Sequence, residues 1–431
     1  MKFYSTNNIN NQVSFREAVI KGLPDDNGLF MPESIPVLDA NFFATLPQKS
    51  IAEIAFEVAK PFVKEDINDE KLQTIVEETL NFPLPVVNVH DNINVLELFH
   101  GPTLAFKDVG ARFLARCLSH FSNNSEEKVT VLVATSGDTG SAVANGFLGV
   151  PNVDVVILYP KGKVSHLQEQ QLTTLGQNIT ALEVNGTFDD CQRMVKSAFL
   201  DKPLNKAMKL TSANSINIAR LLPQSFYYYW AMAQLSGADD VVFSVPSGNY
   251  GNITAGLLAK AMGLPIKGFV ASSNVNDIVP KYLATGNFEP KPSKQTISNA
   301  MDVGDPSNFP RMTALHKNSW ETICQEITGY SFTDGETKEA MKMVFDKYGY
   351  VLDPHGAVGY LGLQAYLDKN GGTGVFLETA HPGKFADTVE EVIGSVEIPE
   401  RLGAYLNKEK NSIEMSNQFE GLKDYLTKHL R

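Results

Sequence analysis

A lysine set among apolar neighbours is the first residue of this chain that could do chemistry. Lys107 follows Leu104, Ala105 and Phe106 after a Gly101-Pro102-Thr103 turn. From Asp108 onward, Val109, Phe113, Cys117 and Leu118 recur at helical spacing, so the lysine is expected where a tight loop enters a buried amphipathic helix. An ammonium there pays for desolvation, and a neutral amine or an imine to an aldehyde becomes its natural resting form. A lysine whose stem lies on apolar surface while its amine reaches water fits the same letters.

Four other stretches carry polar groups in loops. Pro246-Ser247-Gly248-Asn249-Tyr250-Gly251-Asn252 has glycines three apart ahead of a helix, which lets backbone N–H groups fold inward around a phosphate at the helix start. Thr135-Ser136-Gly137-Asp138-Thr139-Gly140-Ser141 brings small hydroxyls to another helix start, a place suited to a carboxylate. Asn214-Ser215-Ile216-Asn217-Ile218-Ala219-Arg220 offers two donors and a guanidinium for a second anion, with Ile216 expected to open the helix. Thr379-Ala380-His381-Pro382-Gly383-Lys384 supplies a hydroxyl for a ring nitrogen. Helix capping and glycine turns account for each stretch taken alone. No segment satisfies GxGxxG or GxxxxGK[ST], and His100, His355 and His381 form no HxxxH or HExxH pair, so neither a nucleotide fold nor a metal centre is expected.

These loops need elements to hold them. Buried strands are expected at 129–134, 153–158, 179–184, 241–245, 266–271 and 375–378. Helices are expected at 140–147, 164–175, 191–199, 216–235, 254–262, 337–348 and 357–367. Such alternation marks parallel sheets covered on both faces, whose ligands sit beyond the carboxyl ends of the strands. The residues before about Asn94 carry two helical stripes, from Ile51 to Ala59 and from Leu72 to Leu80, and read as a small, mainly helical domain. The stretch from Gly286 to Pro310 is rich in Pro, Asn and Ser and reads as a functional loop, a candidate lid. The expected units are 1–95, mainly helical; 96–225, a smaller α/β domain opening with the lysine segment; and 226–431, a larger α/β domain with the phosphate loop.

With 431 residues and a net charge of -12, the chain lacks the basic footprint of a nucleic-acid binder, and an anionic ligand must be caught locally. Three isolated cysteines suggest no disulfide framework. The start, MKFYSTNNINNQ, is unlike a signal peptide, and no apolar run approaches membrane-spanning length. The reading is of a cytoplasmic protein with no membrane or nucleic-acid partner. Apolar stripes that cover a sheet and those that cover a partner look alike, so assembly is left at monomer or homodimer.

One lysine, one monophosphate nest and one ring-nitrogen hydroxyl on α/β layers describe a pyridoxal 5'-phosphate (PLP) site. In combination, HGPTLAFKD, ATSGDTGSA, NSINIAR, PSGNYGN and SNAMDVGDPSN resemble the threonine synthases, in their longer form with an added N-terminal segment, and the likeness covers nearly the whole chain. The resemblance implies an α/β fold of PLP fold type II, like the tryptophan synthase β subunit, and a lyase that turns O-phosphohomoserine and water into threonine and phosphate. It makes Lys107 the lysine bonded to the cofactor, places Gly248, Asn249, Tyr250, Gly251 and Asn252 on the cofactor phosphate, and sets Thr379 at the pyridine nitrogen. Thr135, Ser136, Gly137 and Thr139 then hold the substrate carboxylate, and Asn214, Ser215 and Arg220 the substrate phosphate. Asp138 replaces the asparagine that shorter members set beside the phenolic oxygen, where an ionised aspartate would repel it. Residues Ser298 to Asp302 match another motif and suggest pocket wall. The rival readings are a phospholyase of the same fold giving a 2-oxo acid, and a non-catalytic PLP-binding relative.

Overall fold

The computed structural model describes residues 1–122, 128–406 and 408–429. Two sheets dominate it. Val129–Ala134 and Val153–Pro160 are buried along their whole length, as strands covered on both faces must be. With Ile179–Asn185, Lys209–Ser212 and Ile413–Ser416 they make a five-stranded sheet whose registered pairs are all parallel. Its order places Val129–Ala134 between Val153–Pro160 and Lys209–Ser212, so the chain leaves this strand for one side and returns on the other.

The second sheet has six strands, in the order Ile327–Ser331, Gly268–Ser273, Val241–Pro246, Thr373–Glu378, Ile93–Glu97, Val86–His90. All its pairs are parallel except the last hairpin. Here the order reverses between Val241–Pro246 and Thr373–Glu378. In an open parallel sheet such a switch point leaves a crevice beyond the strand ends, and each sheet has one. The four polar loops leave the carboxyl ends of the four strands at these two switch points.

The structure departs from the sequence reading in four places. The first residues add a three-stranded sheet, Asn8–Val13, Phe3–Ser5 and Phe30–Pro32, to the helices Phe15–Lys21, Ile51–Val63 and Asp69–Thr79 of the expected mainly helical unit; strands this short show no alternation long enough to read. The Val86–Glu97 hairpin joins the six-stranded sheet, pairing Ile93 with Gly374, and so crosses the expected boundary at residue 95. Ile413–Ser416 adds an edge to the five-stranded sheet, within a stretch expected to belong to the larger domain. The expected helix from Ile216 to Leu235 is broken into Ile218–Leu221, a 3-10 turn at Leu222–Ser225 and Phe226–Gln234, because Pro223 has no N–H to continue the ladder and crowds the preceding turn.

Arg311 ties these parts together. It is fully buried, and its guanidinium donates to Phe30 O at 3.1 and 3.0 Å, Ser215 O at 2.8 Å, Ile216 O at 2.6 Å and Asn308 Oδ1 at 3.0 Å. These acceptors are neutral oxygens, and burial lowers the guanidinium to about 9. Removing it strands several carbonyls, each worth about 1–3 kcal/mol when buried and unpaired. Arg311→Met is therefore expected to lose about 3 kcal/mol or more of unfolding free energy in a urea titration, with Arg311→Lys recovering only part of it.

Candidate active site

Leu104, with φ 58°, turns the chain so that Ala105 forms an isolated antiparallel bridge with Ala380. Phe106 N–H donates to Thr379 O at 2.9 Å and His381 N–H to Leu104 O at 3.0 Å. Lys107 then opens the Lys107–Ser122 helix. Thr103 bonds both carboxylate oxygens of Asp108, through its N–H at 2.9 Å and its hydroxyl at 2.6 Å, and Tyr227 OH donates to Phe106 O. The lysine and Thr379 thus belong to one braced backbone unit. Lys107 stays partly exposed, since it faces a cavity of about 770 Å³ that includes the solvent at its mouth. Burial pushes its amine from 10.5 down to about 8, with Asp138 opposing and the charges of Arg220 and Lys384 adding.

Gly248 to Asn252 line the same cavity. Tyr250 sits in the left-handed region, φ 59°, and caps the Gly251–Ala261 helix, whose first N–H groups have no intrahelical acceptor. Asn252 Oδ1 accepts from Tyr228 OH at 2.8 Å, while its buried Nδ2 has no partner among the described residues. A Cβ on Gly248 would stand 2.6 Å from Ala300 O, and one on Gly251 would stand 3.1 Å from Ser215 Cβ. Gly248 has no room for a side chain and Gly251 only a tight fit, so the loop is free to present backbone donors.

Arg220 is buried beneath a second part of the cavity. Its backbone and side chain press on Gly110, where a Cβ would meet Nε and the carbonyl oxygen at 3.0 Å. One guanidinium nitrogen binds Ala213 O and Nε has no partner among the described residues; burial lowers the group to about 10. Ser215 lies alongside, its hydroxyl accepting from Asn308 Nδ2 at 2.8 Å. The cap of this helix is Asn217, not Asn214 or Ser215 as the sequence suggests. Asn214 reaches the cavity wall, but its amide spans Ala134, donating to its carbonyl at 2.7 Å and accepting from its N–H at 3.2 Å.

In the Thr135–Ser141 loop, Ser136 and Thr139 line the cavity. Thr135 does not; its Oγ1 accepts from Gly137 N–H at 2.9 Å and Gly140 N–H at 2.8 Å and so shapes the loop from behind. Gly137 is also outside the wall, its φ of 133° making the bend. Asp138, expected beside the cofactor, is buried off the wall and paired with Lys384 at 2.7 Å. Burial alone would raise its carboxyl; the ammoniums of Lys384 and Lys107 and the amide of Gln168 hold it at about 2 instead.

Sequence reasoning missed His355, Gln224 and Phe188 in the wall, and gave Ala300 and Met301 only as a surmise. Ala300 N–H donates to His355 Nε2 at 3.2 Å, so the ring hydrogen stands at Nδ1, 2.6 Å from Asp353 Oδ1. Behind Thr379, burial and the Asp353 charge raise the Glu378 carboxyl well above its usual range, and Glu378 Oε1 accepts from Asp353 N–H at 2.6 Å. His355 meets Ala300 across 55 residues and Glu378 meets Asp353 across 25, and a lone His or Glu gives no sign of such pairing. Among the described residues no cluster could hold a metal ion.

A lysine beside a helix-start anion cradle, at the switch points of two parallel sheets, defines a PLP-dependent enzyme of fold type II. The family described as pyridoxal-phosphate dependent enzyme matches residues 84–377, with threonine synthase N-terminal and C-terminal families at 2–80 and 356–426. Threonine synthase from Haemophilus influenzae is 47% identical, covering 99% of this chain and 100% of its own. The crystal structure of the Escherichia coli threonine synthase superposes with a TM-score of 0.95 at 43% identity over 100% of both chains. That of the PLP-bound enzyme from Brucella melitensis gives 0.91 at 35%, also over 100% of both. The chain belongs to the threonine synthase family.

The residues present fit the cofactor. Backbone donors with the unpartnered Asn252 amide suit its phosphate, Thr379 suits its ring nitrogen, and the Lys107 amine is depressed enough to attack its aldehyde. The rate at which PLP attaches to the apoprotein should rise with pH and level off above about 8, not near 10.5, because the neutral amine attacks. Stopped-flow absorbance across pH 6–11 checks this, and Lys107→Ala should show no borohydride-fixed adduct by mass spectrometry.

Proposed function

We propose that this chain converts O-phosphohomoserine and water to threonine and phosphate, with Lys107 as its proton carrier. The observation that carries the reading is that one cavity is lined by Lys107 together with two groups suited to anions, the Gly248–Asn252 cradle and the adjoining Ser215–Arg220 corner. A substrate with its own phosphate needs the second place once the cofactor phosphate has taken the first.

Bound PLP supplies an electron sink that makes carbanions at the substrate α carbon accessible. Everything else falls to the chain. The hydroxyls of Ser136 and Thr139 orient the substrate carboxylate, while Ser215 and Arg220 Nε hold its phosphate. Lys107 Nζ, freed when the substrate amine takes its place, removes the α proton and then a β proton. Phosphate leaves the γ carbon toward Arg220, the γ carbon gains a proton, and the hydroxyl of water adds at the β carbon. Lys107 returns the α proton. The neutral Thr379 hydroxyl leaves the ring nitrogen largely unprotonated, so the electron sink is moderate and the placement of the lysine matters more. Thr135 and Asn214 act by shaping the loops that carry these groups.

Purified protein with PLP and O-phosphohomoserine is expected to release threonine and inorganic phosphate in equal amounts. Phosphate accompanied by 2-oxobutyrate and ammonia would overturn the synthase reading in favour of the phospholyase. Arg220→Met should raise KM for O-phosphohomoserine roughly 10- to 100-fold, the worth of one buried charge-assisted hydrogen bond, while PLP affinity changes little.

A further inference from the structure

Asp138 poses an electrostatic problem. It is the first residue of the Asp138–Phe147 helix, 3% exposed, and its buried carboxylate acts on the amine of Lys107 from behind the cavity wall. The structure sets a second charge against it. Lys384 Nζ, with its side chain wholly buried, lies 2.7 Å from Asp138 Oδ1 and donates to Thr103 O at 3.0 Å. Gln168 Nε2 donates to the same Asp138 oxygen at 2.9 Å. Gln168 Oε1 accepts Ser165 N–H at 3.1 Å, and Ser165 Oγ donates to Lys384 O at 3.1 Å, which closes a ring of contacts. A Cβ on Gly137 would stand 2.3 Å from the Gln168 side chain, so the loop's glycine is what admits Gln168 to the ring.

This ring lies between the two sheets. Lys384 belongs to the turn after the Thr373–Glu378 strand, whereas Asp138 and Gln168 follow strands of the five-stranded sheet. It also brackets the reactive amine. The charges that act on Lys107 are those of Asp138, Arg220 and Lys384, and the ammonium of Lys384 also reaches Asp108 behind the lysine loop. At Lys107 the effects of Asp138 and Lys384 have opposite sign.

We propose that Lys384 is a positioning residue for this reaction: its ammonium, ion-paired with Asp138, offsets the charge of that aspartate at Lys107, so that a buried carboxylate can stand behind the cavity wall without adding net charge to the site. The inference rests on the reading that PLP is bonded to Lys107. It makes Asp138 and Lys384 one neutral unit, equivalent in charge to the amide of shorter relatives but able to pin two sheets together.

The test is a charge cycle read on the holoenzyme by the pH midpoint of the absorbance of PLP bonded to Lys107. Lys384→Met leaves the aspartate unbalanced, and the midpoint should rise by about one pH unit. Asp138→Asn leaves the ammonium unbalanced, and the midpoint should fall by about as much. The double variant should return to within a few tenths of the parent value, and Lys384→Arg, which keeps the charge, should stay near it. Single variants that move the midpoint in the same direction, or a double variant that departs as far as either single, overturn the proposal. Should a single variant fail to fold or to hold PLP, the double variant decides: a holoenzyme with the parent midpoint supports the neutral unit, and a displaced midpoint refutes it. A parent enzyme that forms no threonine while the midpoints follow this cycle would instead sink the functional reading and leave the role of Lys384 standing.

Discussion

The site depends on a short backbone pairing. The bridge between Ala105 and Ala380, with Phe106 N–H on Thr379 O and His381 N–H on Leu104 O, fastens the segment that carries the Lys107 amine to the segment that carries the Thr379 hydroxyl. The Thr373–Glu378 strand is held within the six-stranded sheet by neighbours on both sides. A lysine at the head of a helix would otherwise keep four side-chain torsions and the freedom of a loop. Here the loop has little freedom, and the geometry of the amine is set before any ligand arrives.

That rigidity is needed because the site works against the chain's overall charge. A protein of net charge -12 must gather anions in one place, and it does so with buried cations whose partners are mostly neutral. Among the described residues, Arg311 is bonded only to oxygens of carbonyls and an amide, and Arg220 to a carbonyl with one nitrogen unpartnered. Burial makes each such charge costly, and the cost is met by hydrogen bonds that also fix the loop around Ser215. Lys384 differs in being matched by a carboxylate, which suits a position where a free positive charge would lower the amine of Lys107 further.

How much of this could be read from the letters follows the range of each interaction. Runs such as Val129–Ala134 and Val241–Pro246 announce their burial locally, and helix starts announce themselves by capping residues, so the parallel layers and the loops at their ends were legible. Lys107 and the Gly248–Asn252 loop, which line one cavity, stood out as candidates because each is built from consecutive residues. Pairings across long separations left no trace: His355 with Ala300, Arg311 with Phe30, Asp138 with Lys384. Asp138 looked like an anomaly because the lysine that answers it lies 246 positions away and resembles, in sequence, any polar residue after a turn. What Thr135 and Asn214 bond to was hidden for a related reason. A hydroxyl or amide near a site is as useful behind the loop as in front of it, and only geometry tells which.

The order of strands also governs how the polypeptide is made. Ile93–Glu97 is synthesised early, yet its parallel partner is Thr373–Glu378, and the edge of the other sheet waits for Ile413–Ser416. Neither sheet is complete while the ribosome is still short of those segments, so contacts of very high sequence separation close last. The nascent chain must carry unfinished parallel edges for nearly the whole of translation, when unpaired strands are most prone to stick to one another. The fold that places four loops around one cavity thus closes its two sheets only when the segments 373–378 and 413–416 are available to pair.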